Sequence, residues 1–340
     1  MERFKADLST QRIKPVLFEE VSDPWALTNT ANRAWDQARR ELDYPLIQVR
    51  GVVPMALERE LIREVEGSGP FAVVARIPFN IDREPAAIYY VQAEVNGRPG
   101  YKFADDDLNI SHRQALARAS EKMNRGFKIL PDGYTVRSMI PDSSGSRMQA
   151  TNDKHFFMDT PELAKVLVET HKACFEYPHD SNQQDVYEVE KTLRNNPIVL
   201  AFDVRDNVVA VGYIEKDKRF TLGNGLTLVE PTYWTLPTHR HAGASYHLRQ
   251  AAKDLYDQEG NIICFGESVR STSFVLILAS GYELAGTDDL AITGNLGDAY
   301  TAIGPANPGV GYIPMGASFH TSSNIRVNPE NRFVLNGVVK

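Results

Sequence analysis

Hydrophobic and polar residues alternate with helix-like and strand-like periods through the first 128 residues. Apolar positions at helical spacing predict an amphipathic helix from Pro24 to about Leu42 and a second helix from Asn109 through Met123. Short apolar runs predict strands at 45–49, 71–77, 87–95 and 101–103. The last two flank Asn96-Gly97, a dipeptide typical of hairpin turns. We therefore expect residues 1–128 to form a separate α+β domain of unknown role, because they carry no recognisable chemical motif.

Residues 129–290 show a different order of predicted elements. A strand at 134–140, a helix from Thr160, a helix at 184–194 and a two-stranded hairpin at 198–213 come first. A charged loop at 216–225, a long strand from Leu226, a helix from Ala244, a strand at 261–265 and a helix at 273–279 follow. The tail, residues 291–340, is rich in Gly, Pro and Asn, and we expect it to be extended, with strand-like pieces at 310–314 and 333–339.

One junction in this order carries recognisable chemistry. The long strand ends near Pro237, and a turn of small residues leads into the helix from Ala244. The amide N–H groups and the positive end of the macrodipole at such a helix start attract anions, phosphates above all. Small side chains at 242–245 allow a pyrophosphate to approach the backbone closely, and Arg240 adds a charged donor. The pattern therefore favours a phosphate-binding junction.

This junction resembles the acetyl-CoA signature of the GCN5-related N-acetyltransferase superfamily, in which Arg/Gln-x-x-Gly-x-Gly/Ala opens a helix after a strand. Residues 240–245 fit without a gap, with Ser245 at the final small position. The helix at 273–279 and the following Gly281-Tyr282 are similar to the family's last helix and its closing Gly-Phe. The resemblance spans 134–285. It implies an α+β fold, with a mixed, mostly antiparallel sheet flanked by helices, preceded by the separate amino-terminal domain.

The resemblance also implies a cofactor and the residues that hold it. Acetyl-CoA is the expected co-substrate, with its pantetheine arm in a V-shaped gap where the long strand splays from its neighbour. Backbone groups of Trp234 and Leu236 are expected to bind the pantetheine. The expected pyrophosphate ligands are the backbone amides of Arg240, His241, Ala242, Gly243, Ala244 and Ser245. The second substrate is expected to be an amine of unknown identity, which attacks the thioester in its neutral form.

That reaction needs a general base, and a tyrosine often protonates the leaving thiolate in the family. Glu230 is the first candidate base, directly or through a water, although it is equally explained as a solvated or ion-paired acid. Tyr233 and His239 are further candidates. The position of the usual tyrosine is occupied by Ile277, so that acid is missing. Ser271 and Ser273 remain as alternatives for the residue that approaches the thioester sulfur.

Composition restricts the remaining functions. The net charge of −7, from 37 basic and 44 acidic residues in 340, argues against a protein that coats nucleic acid or binds anionic membranes. Cys174 and Cys264 form no disulfide framework or CxxC site, and we expect buried reduced thiols. The histidines at 239, 241 and 247 lack a further converging ligand, so no metal is expected. With no apolar run near 20 residues, a soluble cytoplasmic protein is expected.

Two classes of function remain open. The first is an acyl-CoA-dependent N-acyltransferase that moves an acetyl group from acetyl-CoA to an amine by direct attack. The second is the same fold used as a non-catalytic binding or assembly subunit, for example in a phage particle, where the chain would be virion-associated and part of a homo-oligomer or larger assembly. The signature favours the enzyme. Ile277, Ser245 and the long flanks favour the subunit.

Overall fold

Two β-sheets with separate cores organise the chain. The computed structural model describes residues 4–7, 12–15, 19–20, 23–41, 46–81, 84–94, 101–102, 110–174, 185–221, 225, 227–240, 242–259, 262–268, 271–288 and 316–321. The amino-terminal unit, up to residue 94, contains a six-stranded sheet, and the carboxy-terminal unit, from residue 101, contains a ten-stranded sheet. Among the described residues no helix is long and apolar enough to cross a membrane.

The amino-terminal unit places two helices on one face of its sheet. Its elements are β1 (Phe4–Asp7), β2 (Arg12–Pro15), β3 (Glu19–Glu20), α1 (Pro24–Glu41), β4 (Leu46–Pro54), α2 (Glu58–Gly67), β5 (Phe71–Ile81) and β6 (Glu84–Glu94). Asp23 caps α1 by accepting a hydrogen bond from the Trp25 amide. Apolar residues of α1 and α2 pack on Ile47, Val49 and Val53 of β4 in one core. Side chains alternate along a strand, so Arg50 lies on the face of β4 opposite to this core.

The carboxy-terminal unit is built around a longer, mixed sheet. Its elements are β7 (Tyr101–Lys102), α3 (Ile110–Arg125), β8 (Thr135–Pro141), β9 (Arg147–Ala150), β10 (Phe157–Asp159), α4 (Thr160–Cys174), α5 (Val186–Leu193), β11 (Ile198–Phe202), β12 (Val208–Thr221), β13 (Thr227–Thr235), α6 (Ala244–Glu259), β14 (Ile262–Ser268), α7 (Ser271–Ala279), β15 (Glu283–Asp288) and β16 (Gly316–Thr321). The strand order is β10-β9-β8-β11-β12-β13-β14-β16-β15-β7. Of the pairings described in this sheet, β13 with β14 is parallel and the others are antiparallel.

Helices cover both faces of this sheet. Leu200 of β11 faces the core formed with α4 and α5, and its neighbour Val199 faces the core formed with α6 and α7. The same alternation divides β13, where Trp234 lies on the α4 side and Val229 on the α6 side. The predicted fold class, a mostly antiparallel sheet flanked by helices after an α+β unit, is therefore confirmed.

Several elements differ from the sequence predictions. The predicted hairpin around Asn96-Gly97 is wrong, because β6 pairs with β4 and β5, whereas β7 pairs with β15. The charged segment after residue 215 is not all loop, since β12 continues through Thr221. The extended tail contributes β16, which lies between β14 and β15. The strand-like pieces at 310–314 and 333–339 lie outside the described residues, and the domain limits at 128 and 290 stay predictions.

Candidate functional site

β13 has two neighbours at its beginning and one at its end. Its parallel pairing with β14 runs from Thr227, opposite Ile262, to Val229, opposite Cys264. Its antiparallel pairing with β12 continues to Thr235, opposite Ala210. From residue 230 to 235, β13 has no register with β14, so one edge of this segment is left open in the described part of the sheet. An open strand edge presents unpaired N–H and C=O groups to a ligand.

The register determines which backbone groups face that edge. The amide of Leu236 donates to the Val209 carbonyl at 2.9 Å, so this residue bonds toward β12. Hydrogen bonding alternates along an antiparallel pair, so Trp234 also bonds toward β12, whereas Tyr233 and Thr235 face the open edge. Trp234 and Leu236, which were predicted to offer their backbone to a pantetheine, thus bond toward β12 instead, and the edge-facing backbone groups are those of Tyr233 and Thr235. The Trp234 ring is buried in the core.

The turn after β13 leaves several amides unused. A 3₁₀ helix at Pro237–His239 and an extended Arg240 lead to Gly243, whose φ of +84° is in the left-handed region. The amides of Gly243, Ala244 and Ser245 make no hydrogen bond to any of the described residues. They lie at the amino-terminal end of α6, a helix of 16 residues. This end therefore combines free donors with the positive end of a helix dipole.

Gly243 is required at this turn for two reasons. A side chain at φ +84° is strained, and an added Cβ would lie 3.0 Å from the Lys128 carbonyl oxygen. The segment before β8 thus presses against the start of α6. The ring of Phe127 stacks on Tyr246 with centroids 3.3 Å apart, and His247 Nε2 lies 3.0 Å from the Lys128 oxygen. These contacts support the start of α6, where the three amides lie.

The remaining predicted phosphate ligands are placed as follows. Arg240 is partly exposed and has no ion-pair partner in the part of the chain that the structure describes. The amide of Ala242 donates weakly to the His239 carbonyl at 3.4 Å. His241 lies outside the described residues. Ser271 is the first residue of α7, and Ile277 of the same helix is buried against α6, where the family has its tyrosine.

Glu230 forms a buried ion pair with Arg50 of the amino-terminal unit. The two Arg50 amino groups lie 2.7 and 3.3 Å from the two carboxylate oxygens, in a bidentate arrangement. The side chains are 7% and 10% exposed, so the pair is shielded from water. Glu230 is thus an ion-paired acid, as one of the two alternatives expected, but the pair is buried and not solvated. The carboxylate joins the two units, and both of its oxygens accept hydrogen bonds from Arg50.

Tyr233 and His239 are also held by neighbours. The Tyr233 ring lies against Gly212 and 4.3 Å from the Arg249 guanidinium carbon, and burial raises the pKa of its hydroxyl well above 10. That hydroxyl makes no hydrogen bond of ordinary geometry with the described residues, although Tyr256 and Tyr282 lie nearby. His239 Nδ1 is 2.8 Å from the Tyr134 hydroxyl. The three candidate acids and bases thus contact different partners, which are Arg50, Arg249 and Tyr134.

Two arginines and the thiols complete the description. Arg50 and Arg249 were not among the predicted residues, although each interrupts an apolar pattern, in β4 and on the buried face of α6. Cys174 and Cys264 are free and buried, and burial raises the pKa of their thiols to about 11 and about 12. Among the described residues, no three His, Cys, Asp or Glu side chains gather around a point that suits a metal ion.

Solved acetyltransferases match this chain. A chimera of the spermidine N-acetyltransferase from Vibrio cholerae and hSSAT is 11% identical, with coverages of 56% of this chain and 96% of its own and a TM-score of 0.35. A GCN5-related N-acetyltransferase from Kribbella flavida is 14% identical, with coverages of 56% and 99% and a TM-score of 0.35. A ribosomal-protein α-N-acetyltransferase in complex with coenzyme A is 12% identical, with coverages of 58% and 98% and a TM-score of 0.35.

The fold rests on the strand order and register given above and not on these matches. No family model matches the sequence, and neither does any curated protein.

Proposed function

We propose that this chain binds an acyl-CoA between the open edge of β13 and the start of α6, and that it transfers the acyl group to an amine. One observation carries the proposal: an open strand edge is followed by three amides at the start of α6 that make no hydrogen bond to the described residues. An extended pantetheine arm needs a strand edge, and a diphosphate needs converging N–H donors. The same short segment supplies both in the right order.

Each residue then has a defined part. The N–H and C=O groups of Tyr233 and Thr235 bind the amide groups of the pantetheine arm. The amides of Gly243, Ala244 and Ser245 donate to the diphosphate, and the Arg240 guanidinium adds charge at the rim. When bound, acetyl-CoA supplies an acyl thioester, in which the C–S bond breaks as the amine forms its new C–N bond. Glu230 accepts the ammonium proton only after Arg50 releases one of its oxygens.

A second candidate is a subunit that binds acyl-CoA without catalysis, or that uses the fold for assembly. The Arg50–Glu230 ion pair favours it, because the best placed carboxylate is used to join the two units. The pairing of His239 with Tyr134 and the apolar Ile277 point the same way. In this alternative the site keeps its ligand-binding groups and lacks a free base.

Calorimetry with acetyl-CoA and desulfo-CoA tests the binding step. The wild-type chain should bind both, and Arg240→Glu should weaken binding by about tenfold or more, because it replaces an attraction to phosphate with a repulsion. Arg63→Glu is the matched control, since Arg63 is an exposed arginine of α2 and should leave the affinity unchanged. Absence of binding at millimolar ligand would contradict the proposal.

Free-thiol release from acetyl-CoA with a panel of amines separates the two candidates. Amine-dependent release that falls in Glu230→Gln supports the transferase. Tight binding of desulfo-CoA without release on any amine supports the non-catalytic subunit, and a ring or lattice of the pure protein under the electron microscope supports the assembly function.

A further inference from the structure

Arg249 lies one helical turn after Ser245, inside the molecule. Arg249 is only 5% exposed. Its Nη1 donates to the Ser245 hydroxyl at 2.6 Å and to the Ser245 carbonyl at 3.0 Å. Its Nε has no hydrogen-bond partner among the described residues. A buried guanidinium with an unused donor is costly unless something else compensates it.

The surroundings of Arg249 supply no negative charge. The ionisable groups that surround it are the hydroxyls of Tyr233 and Tyr282 and the thiol of Cys264, and no carboxylate in the described part of the chain pairs with it. Burial raises the pKa of all three groups, to about 12 for Cys264, so they are neutral at pH 7. Burial lowers the pKa of Arg249 from its usual value, but an arginine stays protonated at pH 7. The guanidinium is therefore a buried cation without a counter-charge among the described residues.

The nearest place for a counter-charge is the start of α6. Ser245 provides both the hydroxyl that accepts from Arg249 and one of the three unbonded amides. Covalent geometry puts a serine hydroxyl roughly 3 Å from its own amide nitrogen. The charged Nη1 thus lies within roughly 6 Å of the amide group, on the inner side of the helix end. An anion bound by the amides would face this charge across the first turn.

We propose that Arg249 is a positioning residue for the diphosphate of the acyl-CoA: it fixes Ser245 in the first turn of α6 and places an uncompensated positive charge beneath the anion site. The inference rests on the proposed function. It also gives a reason for Ser245 at a position where the family has Gly or Ala, because the hydroxyl is the acceptor that orients the guanidinium.

Arg249→Met separates this role from a structural one. Removing a buried, uncompensated cation in favour of an apolar side chain should leave the unliganded protein as stable as wild type, or more stable. The affinity for CoA should fall at least tenfold in calorimetry at low salt. The affinity for pantetheine, which lacks the diphosphate, should change less than twofold. Arg249→Lys, which keeps the charge, should recover most of the CoA affinity.

Lys253→Met is the matched control. Lys253 lies one turn further along α6 and donates to the Ser280 carbonyl, so its loss should leave CoA binding within twofold of wild type. Equal CoA affinity in wild type and Arg249→Met would overturn the inference and leave the proposed function intact. A variant that loses stability together with CoA and pantetheine binding would show a structural role, which also overturns it. If the wild-type chain itself binds no CoA, the proposed function fails first.

If Arg249→Met does not fold, two other variants test the inference. Arg249→Lys is tested by how steeply the CoA affinity falls with salt concentration, and Ser245→Ala by its affinities for CoA and pantetheine. The slope should stay near the wild-type value in Arg249→Lys, because the charge is kept. Ser245→Ala should weaken CoA binding and leave pantetheine binding unchanged. The opposite pattern in either variant would overturn the inference.

Discussion

The segment from Glu230 to the start of α6 uses its polar groups in opposite ways at its two ends. At one end, Glu230 is bonded by both amino groups of Arg50, and the two units of the chain are joined there by a buried ion pair. At the other end, the Arg240 side chain and the amides of Gly243, Ala244 and Ser245 have no partner among the described residues. Polar groups that bond one another stabilise the fold, and polar groups left without a partner are available to a ligand. The comparison assigns structure to the first end and binding to the second.

Two buried arginines repeat this contrast. Arg50 faces a carboxylate at 2.7 Å, and its charge is compensated within the protein. Arg249 faces phenols and a thiol, and no described residue compensates its charge. Loss of a cation should therefore have opposite consequences at the two positions. At the first it should leave a buried carboxylate without its arginine, and at the second it should remove a buried cation that has no counter-charge among the described residues.

The largest expected effect comes from Arg50→Ala, which removes the ion pair with Glu230. The substitution leaves the Glu230 carboxylate buried without its partner, and the free energy of unfolding should fall by about 3–5 kcal/mol. Urea denaturation followed by circular dichroism measures this change. Arg63→Ala, which removes an exposed arginine of the same unit, should change the free energy of unfolding by less than about 0.5 kcal/mol.

The double variant Arg50→Met/Glu230→Leu shows whether the pair or the single charge matters. Replacing both partners by apolar side chains of similar size should recover most of the lost stability. If the single variant is as stable as wild type, the ion pair does not join the units in solution, and Glu230 again becomes the leading candidate base.

Gly243→Ala tests the turn at the start of α6 and should have a smaller effect on the free energy of unfolding. The methyl group must adopt a left-handed backbone and approach the Lys128 carbonyl at 3.0 Å, so the free energy of unfolding should fall by about 2 kcal/mol. CoA affinity should fall at least tenfold, because the three amides move with the turn. Gly225→Ala is the control: its φ is +85° and no atom lies within 4 Å, so it carries the strain without the clash. Normal CoA binding in Gly243→Ala would contradict the placement of the site.

The start of α6 was predictable because local backbone geometry determines it. A left-handed glycine followed by small residues and an apolar helical face occurs in one stretch, and the structure places α6 where the pattern does. The Arg50–Glu230 pair was not predictable, because it joins residues 180 positions apart and depends on how two sheets meet. β16 was missed for a related reason: Gly316–Thr321 has no apolar run, and its strand conformation depends on pairing with both β14 and β15.

The choice between Trp234 and Tyr233 shows the same limit at the scale of one residue. Sequence predicts that this segment is a strand, but which residues bond to which neighbour depends on the register with β12. A shift of one position exchanges the two sets of backbone groups. The ion pair of Glu230 was missed for a different reason, because its partner, Arg50, comes from another unit of the chain.

The smallest expected effect, about 1 kcal/mol at pH 9, tests the point where the pairing of β13 with β14 ends. Cys264 is the last residue of β14 that pairs with β13, and burial raises the pKa of its thiol to about 12. An unfolded cysteine has a pKa near 8.5, so the unfolded chain loses its proton first as the pH rises. The stability that comes from the neutral buried thiol is complete below about pH 8.5 and is lost progressively toward pH 12, by up to about 1.4 kcal/mol per pH unit. Urea denaturation at pH 8, 9 and 10 should show this decline. In Cys264→Ala the slope of the unfolding free energy against pH should be smaller by the contribution of one titrating proton. If the slope of the unfolding free energy against pH is unchanged in Cys264→Ala, the thiol is exposed to water, and the pairing of β13 with β14 ends before Val229 and Cys264.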